Sequence, residues 1–210
     1  WDVEDLDISR DGKLAAFTVN ADGSSRLFTL ELEAVERDGE GAARGARREV
    51  ELPPGIVSGV RFAPWRTHLG FTLGSAASPA EAFSFSLADG KLERWTSSER
   101  AGFAPGDFIE PELFRYESFD GRKVPAYIFR PRSTGRAPVI VSIHGGPEGQ
   151  ARPQFSARIQ HHVLKMGAAV ITPNVRGSTG YGKTYATLDD GILREDSVRD
   201  IGALLDWIAR

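Results

Sequence analysis

Val139-Ile140-Val141-Ser142-Ile143-His144-Gly145-Gly146-Pro147 is the stretch that decides the fold: an apolar run that ends in a His-Gly-Gly turn. A continuous apolar run bounded by turn residues is the pattern of a parallel strand buried on both faces, here over 138–143. A helix follows over 153–166, with Phe155, Ile159, Val163 and Met166 on one face and Gly167 as its stop. Residues 168–172 read as a second buried strand and Asn174-Val175-Arg176-Gly177 as the turn after it. A second helix spans 195–209, with Val198, Ile201, Leu204, Leu205 and Ile208 at helical spacing. Upstream, 114–119, the turn Asp120-Gly121 and 124–129 form a hairpin. A hairpin followed by alternating strands and helices predicts an α/β layer on a mostly parallel sheet over 113–210.

Residues 1–100 have a different texture. Short strands at 6–8, 14–19 and 27–32, with a turn at Asp11-Gly12, are followed by 60–62, 69–73, 83–87 and 92–95, with a turn at Asp89-Gly90. Asp-Gly is a hairpin signal because both central positions of a type I′ turn need φ > 0. Short strands repeated once in the same order read as two blades of a β-propeller; an unrelated antiparallel meander fits the same spacing. Propellers close with about four to eight blades, so further sequence upstream is expected. Residues 33–49, rich in Gly, Ala and charge, read as an exposed insertion, and 101–112, with Gly102, Pro105, Gly106 and Pro111, as a linker.

Composition narrows the function. Among 210 residues, 40% are hydrophobic and 26% charged, with a formal net charge of -3. That balance gives no reason to expect nucleic acid or an anionic membrane as partner. Arg44, Arg47 and Arg48 sit among Gly and Ala and read as a solvated loop. The chain has no cysteine, which excludes a disulfide scaffold and a thiolate metal site. No apolar run approaches the length of a membrane span. The chain opens at Trp1 without Met, as expected of a processed or excised piece, and the compartment, cytoplasmic or periplasmic in a bacterium, stays open.

Two motifs could carry chemistry. The first is His144-Gly145-Gly146-Pro147, between a buried strand and a helix. Glycines let a backbone approach a substrate without a Cβ clash, and Pro147 has no N–H to donate. The candidate donor to a developing negative charge is therefore Gly146, then Gly145, with His144 shaping the turn; a plain Gly-Gly turn with a structural His is the alternative. The second, Gly177 through Thr184, matches a phosphate-binding P-loop. Four residues separate its glycine from the strand, and no later strand ends in an Asp to hold Mg²⁺, so nucleotide binding is set aside. His161, His162 and His68 lack carboxylate or thiolate partners at metal spacing, so no metal or cofactor is expected. Glu195, Asp196 and Asp200 open the last helix, where acidic residues complement the helix dipole.

Together Phe119-Asp120-Gly121, His144-Gly145-Gly146-Pro147, Asn174 through Lys183, Arg194-Glu195-Asp196 and Asp206-Trp207-Ile208 resemble the prolyl oligopeptidase family of serine peptidases, notably its acylaminoacyl-peptidase and dipeptidyl-peptidase-like bacterial members. The resemblance is specific from about 116 to 210 and generic before that. Pro147 favours these peptidases over lipases and esterases, whose loop usually reads His-Gly-Gly-Gly; Val175 departs from the Tyr that many members carry. The resemblance implies a β-propeller (1–100, partial), a linker (101–112) and the first half of an α/β-hydrolase domain (113–210). In that fold the loop after the third strand supplies one N–H of the oxyanion hole, and the nucleophile sits in a later Gly-x-Ser-x-Gly elbow. No Gly-x-Ser-x-Gly occurs in the 210 residues.

The resemblance implies a parent that cleaves short peptides by a Ser-His-Asp mechanism whose three residues lie beyond this chain, so that the piece alone is inactive. An esterase or lipase of the same fold and a non-catalytic peptide-binding pseudo-hydrolase are the alternatives. A sheet cut after its early strands presents an apolar edge. The expected partners are thus a peptide substrate and, for the edge, the missing C-terminal half or another copy of the chain, which makes a homo-oligomer an open expectation.

Overall fold

Asp22 (φ 52°) and Gly23 (φ 83°) form a two-residue turn between strands Leu14–Ala21 and Ser24–Glu31, with Ala21 opposite Ser24. Both φ values are positive, as a type I′ turn requires, and its twist matches that of the strands it joins. The Asp-Gly pairs singled out above differ. At 11–12, 89–90 and 120–121 only the glycine has positive φ (72°, 73° and 80°), so these are wider connections closed by a left-handed glycine.

The computed structural model describes residues 1–32, 36–37, 43–44, 47–65, 67–146 and 148–210. Pro147 and much of the expected insertion at 33–49 therefore lie outside the described residues. The chain divides into two units: Asp2–Ser75 with Pro79–Gly102, and Phe103–Arg210 with Trp1 and Ala76–Ser78.

The first unit holds two four-stranded sheets. One has the order β1 (Asp2–Ile8), β2 (Leu14–Ala21), β3 (Ser24–Glu31), β6 (Arg47–Val50); a two-residue ladder, β4 (Glu36–Arg37) with β5 (Ala43–Arg44), precedes β6. The other has the order β10 (Leu92–Arg94), β9 (Ser78–Ser86), β8 (His68–Ser75), β7 (Ile56–Phe62). Neither closes on itself. The insertion reading is corrected at its end: 47–50 is a fourth strand, paired with β3 from Leu27↔Val50 to Leu30↔Arg47. Arg47, Arg48 and Glu49 point to solvent while Val50 is buried. Charge on an edge strand blocks further pairing, and it is also what disguised the strand. His68 opens β8 and is half-buried.

One core joins the two sheets: Ala16, Leu27 and Val50 meet Val57, Val60, Leu69, Phe71 and Leu73. Period-2 alternation sends these residues to one face of each strand, except in β7, where an irregularity between Ser58 and Arg61 brings Val57 and Val60, three residues apart, into the same core. β7 is an edge strand, and side chains serve two of its N–H groups: Asp5 accepts from Val60 N (2.9 Å) and Asp7 from Phe62 N (2.7 Å). Buried donors need partners, so Asp5 and Asp7 of β1 face inward while Leu6 and Ile8 face solvent.

In the second unit the sheet order is β11 (Glu112–Glu117), β12 (Lys123–Phe129), β14 (Ala169–Pro173), β13 (Val139–Val141). The expectation of a mostly parallel sheet is corrected. β11–β12 and β12–β14 are antiparallel and only β13–β14 is parallel, because the hairpin's return strand pairs directly with β14. The expected doubly buried strand at 138–143 is shortened to β13, at the sheet edge, with Val139 and Ile143 exposed. β14 is buried along its whole length.

Alternate residues of these strands feed two separate clusters. Val124, Ala126, Ile128 and Ile171 pack with Leu204, Trp207 and Ile208 of α3 (Arg194–Ala209); Tyr127, Phe129 and Val170 pack with Ile159 and Val163 of α1 (Ala157–Leu164). The sheet thus carries one helix on each face. α1 is shorter than expected: Ser156 caps it, accepting from Ile159 N at 3.3 Å, so Phe155 precedes the helix and Met166 lies beyond it, exposed. In α3 the buried positions are Ser197, Asp200 and Leu204, while Val198 and Leu205 face water.

Candidate functional site

The loop after β13 and the loop after β14 are held together at three points. Asn174, fully buried, accepts from Ala151 N (2.6 Å) and donates to Ala151 O (3.0 Å). Thr179 N donates to Gly149 O (3.0 Å). His144 Nε2 lies 3.0 Å from Ser178 Oγ. Ser178, also fully buried, gives its hydroxyl proton to Val175 O (2.6 Å), which leaves His144 Nε2–H as the donor in that pair. The Nδ1 of the same ring is 3.0 Å from Gly145 O.

The predicted site residues fall in the first of these loops. Gly145 and Gly146 are exposed and His144 is half-buried. Gly146 has φ 144°, and a Cβ there would lie 2.6 Å from both Glu148 N and Gly149 N, so only glycine fits. Among the described residues, neither Gly145 N nor Gly146 N donates a backbone hydrogen bond. The part assigned to Pro147 lies outside the described residues.

Behind the second loop is a buried ion network. Asp200 Oδ2 accepts from Arg176 N (2.9 Å) and Arg176 Nε (3.0 Å), and Oδ1 accepts from Arg176 Nη2 (2.8 Å) and Ser118 Oγ (2.5 Å). Arg176 also makes a two-point contact with Asp120 (3.1 Å twice), and Asp196 lies 3.8 Å away. The Arg176 and Arg199 guanidinia both pack over the Phe119 ring. The Arg176 hydrogen bond holds the Asp120 carboxyl below its usual range, and hydrogen bonds to Asp200 raise the pKa of Arg176. Dipole complementation at the start of α3 is thus not the whole role of its acids. Asp200 sits on the buried stripe of the helix, and a carboxylate on that stripe is the sequence signal of a buried cationic partner.

Two tyrosines flank the network. Tyr185 Oη donates to Asn174 O (2.8 Å), and Gly177 N donates to Tyr185 O (3.1 Å). Burial, then the Asp200 charge, pushes both the Tyr185 and Tyr116 hydroxyls up in pKa. The P-loop-like stretch has no phosphate-binding form: Gly177 abuts the Asp189 carboxylate, itself paired with Arg194, and the helix α2 (Lys183–Ala186) is a single turn.

No family model matches the chain. It is 32% identical over 120 residues to prolyl oligopeptidase A of Amanita bisporigera, covering 54% of this chain and 16% of that protein. To a prolyl endopeptidase of Elizabethkingia miricola it is 28% identical over 142 residues, covering 66% of this chain and 20% of the other. The chain therefore spans a fifth or less of the length of these relatives. Among solved structures, a prolyl endopeptidase superimposes with a TM-score of 0.78 at 21% identity, covering 98% of this chain and 29% of that one. The Pyrococcus horikoshii acylaminoacyl peptidase gives 0.72 at 25% identity, covering 98% of this chain and 31% of its own.

Proposed function

We propose, from the likeness to prolyl oligopeptidase A and to a prolyl endopeptidase, that the chain is part of a peptidase of the prolyl oligopeptidase family and that Gly146 lies in its oxyanion loop. In this reading residues 113–210 are the first half of an α/β-hydrolase domain, 101–112 a linker and 1–100 two propeller blades. The parent protein hydrolyses short peptides by serine-type acyl transfer through a Ser-His-Asp triad. The observation that carries the reading is Gly146 itself. It is an exposed glycine, in a conformation only glycine tolerates, and among the described residues its N–H donates no backbone hydrogen bond. It directly follows the strand–His-Gly unit braced by Ser178. Such a donor stabilises the negative charge that develops on a carbonyl oxygen during acyl transfer.

The chain alone, lacking a Gly-x-Ser-x-Gly elbow, is inactive in this reading, and the exposed edge at β13 is where the remainder of the domain, or another copy, pairs. Intact mass after treatment with a fluorophosphonate probe tests it: the full-length protein gains one adduct and the 210-residue chain none. Gly146→Ala in the full-length protein should lower kcat on a peptide substrate by about 10²–10³-fold. An unlabelled full-length protein, or a Gly146→Ala variant with full activity, overturns the assignment.

A further inference from the structure

The turn at 174–179 is the template on which the 144–151 loop rests, and the shape of that turn is fixed from α3. One carboxylate, Asp200, holds the backbone N–H of Arg176, two of its guanidinium nitrogens and the hydroxyl of Ser118. It thereby ties the turn to the β11–β12 hairpin and to the helix. Two residues beyond Arg176, Ser178 accepts from His144, which is joined directly to Gly145 and Gly146. Resting on the oxyanion-loop reading above, we propose that Asp200 is a positioning residue for the reaction: through Arg176 and Ser178 it sets His144, and through His144 the placement of Gly146 N–H.

Physical chemistry favours this role over simple stapling. Charge-assisted, multi-point Arg–carboxylate contacts are both stronger and more directional than neutral hydrogen bonds. Asp200 is fully buried and the Arg176 side chain is 4% exposed, so neither head group can relax into water when the geometry is disturbed. Ser178 transmits the placement because both ends of its hydroxyl are committed, one to Val175 O and one to His144. Catalysis is sensitive to such displacement: a misplacement of about 1 Å costs on the order of 10²-fold in rate.

The test is a double-mutant cycle in the full-length protein with Asp200→Asn, Ser178→Ala and the pair, using a chromogenic peptide substrate. Each single variant should lower kcat by about 10- to 100-fold and leave KM within about twofold. The double variant should be no slower than the worse single, because both changes act through one element. Losses that multiply, or a raised KM with kcat intact, overturn the proposal. Amide exchange gives a second readout: Ala151 and Thr179, whose N–H groups tie the two loops together, should exchange faster in both single variants, and unchanged exchange overturns the coupling. Should Asp200→Asn fail to fold, Ser178→Ala, which keeps the ion network, decides by the same two readouts. A wild-type protein that hydrolyses no peptide defeats the peptidase reading and with it the catalytic role of Asp200, whereas unchanged exchange in an active enzyme defeats the positioning claim alone.

Discussion

The carboxylate of Asp200 holds Arg176 by three hydrogen bonds of 2.8–3.0 Å, one of them to the Arg176 backbone, in a setting where Asp200 has no solvent exposure. A buried ion pair of this kind need not add net stability, but removing one member strands the other. Asp200→Ala leaves the guanidinium with Asp120 and Asp196, both partly exposed. It also deprives Ser118 Oγ of its acceptor. We expect Asp200→Ala and Arg176→Ala each to destabilise the fold by about 3–5 kcal/mol. Urea unfolding of the protein followed by far-UV circular dichroism checks this. A loss under 1 kcal/mol for both, on the scale of an exposed pair, would show that water reaches the site.

Tyr116 and Tyr185 make a matched comparison. Both are aromatic hydroxyls close to Asp200, and both are shifted up by burial. Tyr185 Oη donates to Asn174 O, whereas Tyr116 Oη, fully buried, bonds no group among the described residues. Removing a paired hydroxyl leaves its partner carbonyl short, while removing an unpaired one relieves a desolvation cost. Tyr185→Phe should therefore cost about 1–2 kcal/mol. Tyr116→Phe should be neutral or stabilising by up to about 1 kcal/mol. Thermal melts of the two variants side by side decide, and equal losses would count against the assignment.

Gly177 and Gly12 both hold positive φ, 91° and 72°, but their surroundings differ. A Cβ at Gly12 meets nothing within 4 Å; at Gly177 it overlaps the Asp189 carboxylate. Gly12→Ala then bears only the conformational cost, about 1 kcal/mol. Gly177→Ala must also displace Asp189 from Arg194 and should lose at least twice as much stability. Chemical denaturation of the two variants gives the ratio directly.

The strands and helices of 113–210 were legible because their patterns are strong: β14 is a continuous apolar run, and α3 a sixteen-residue amphipathic helix. The parallel reading failed at β12, where alternation cannot say which neighbour a hairpin strand takes. The buried stripe of α3 was misplaced by one position because Asp200, bonded to Arg176, occupies a core position that hydrophobicity alone gives to Ile201. β6 was hidden by Arg47-Arg48-Glu49, whose charges serve an edge strand. At the site, the glycines were visible in sequence. The roles of Asn174, Ser178 and Asp200 were not, since each depends on a partner 23 to 34 residues away.

Glu81 gives a pH prediction in the first unit. Its carboxylate is buried and accepts from Thr96 Oγ1 (2.5 Å), Ser98 N (2.6 Å) and Arg94 Nη2 (3.0 Å). The Thr96 hydrogen bond, followed by the Ser98 backbone bond, lowers its pKa from 4.5 to about 2. A carboxyl group whose folded pKa is depressed contributes stability that is fully present above the unfolded value and is lost as pH falls through the folded one. The Glu81 contribution should thus be complete above about pH 5, decline from about 4.5, and be gone below about 2. Glu81→Gln removes the charge and keeps the shape. It should lower stability at neutral pH and flatten the pH 5 to 2 limb of the stability curve relative to wild type. Urea midpoints measured at intervals across that range would show it, and parallel curves for the two proteins would mean that the Thr96 and Ser98 contacts do not depend on the charge.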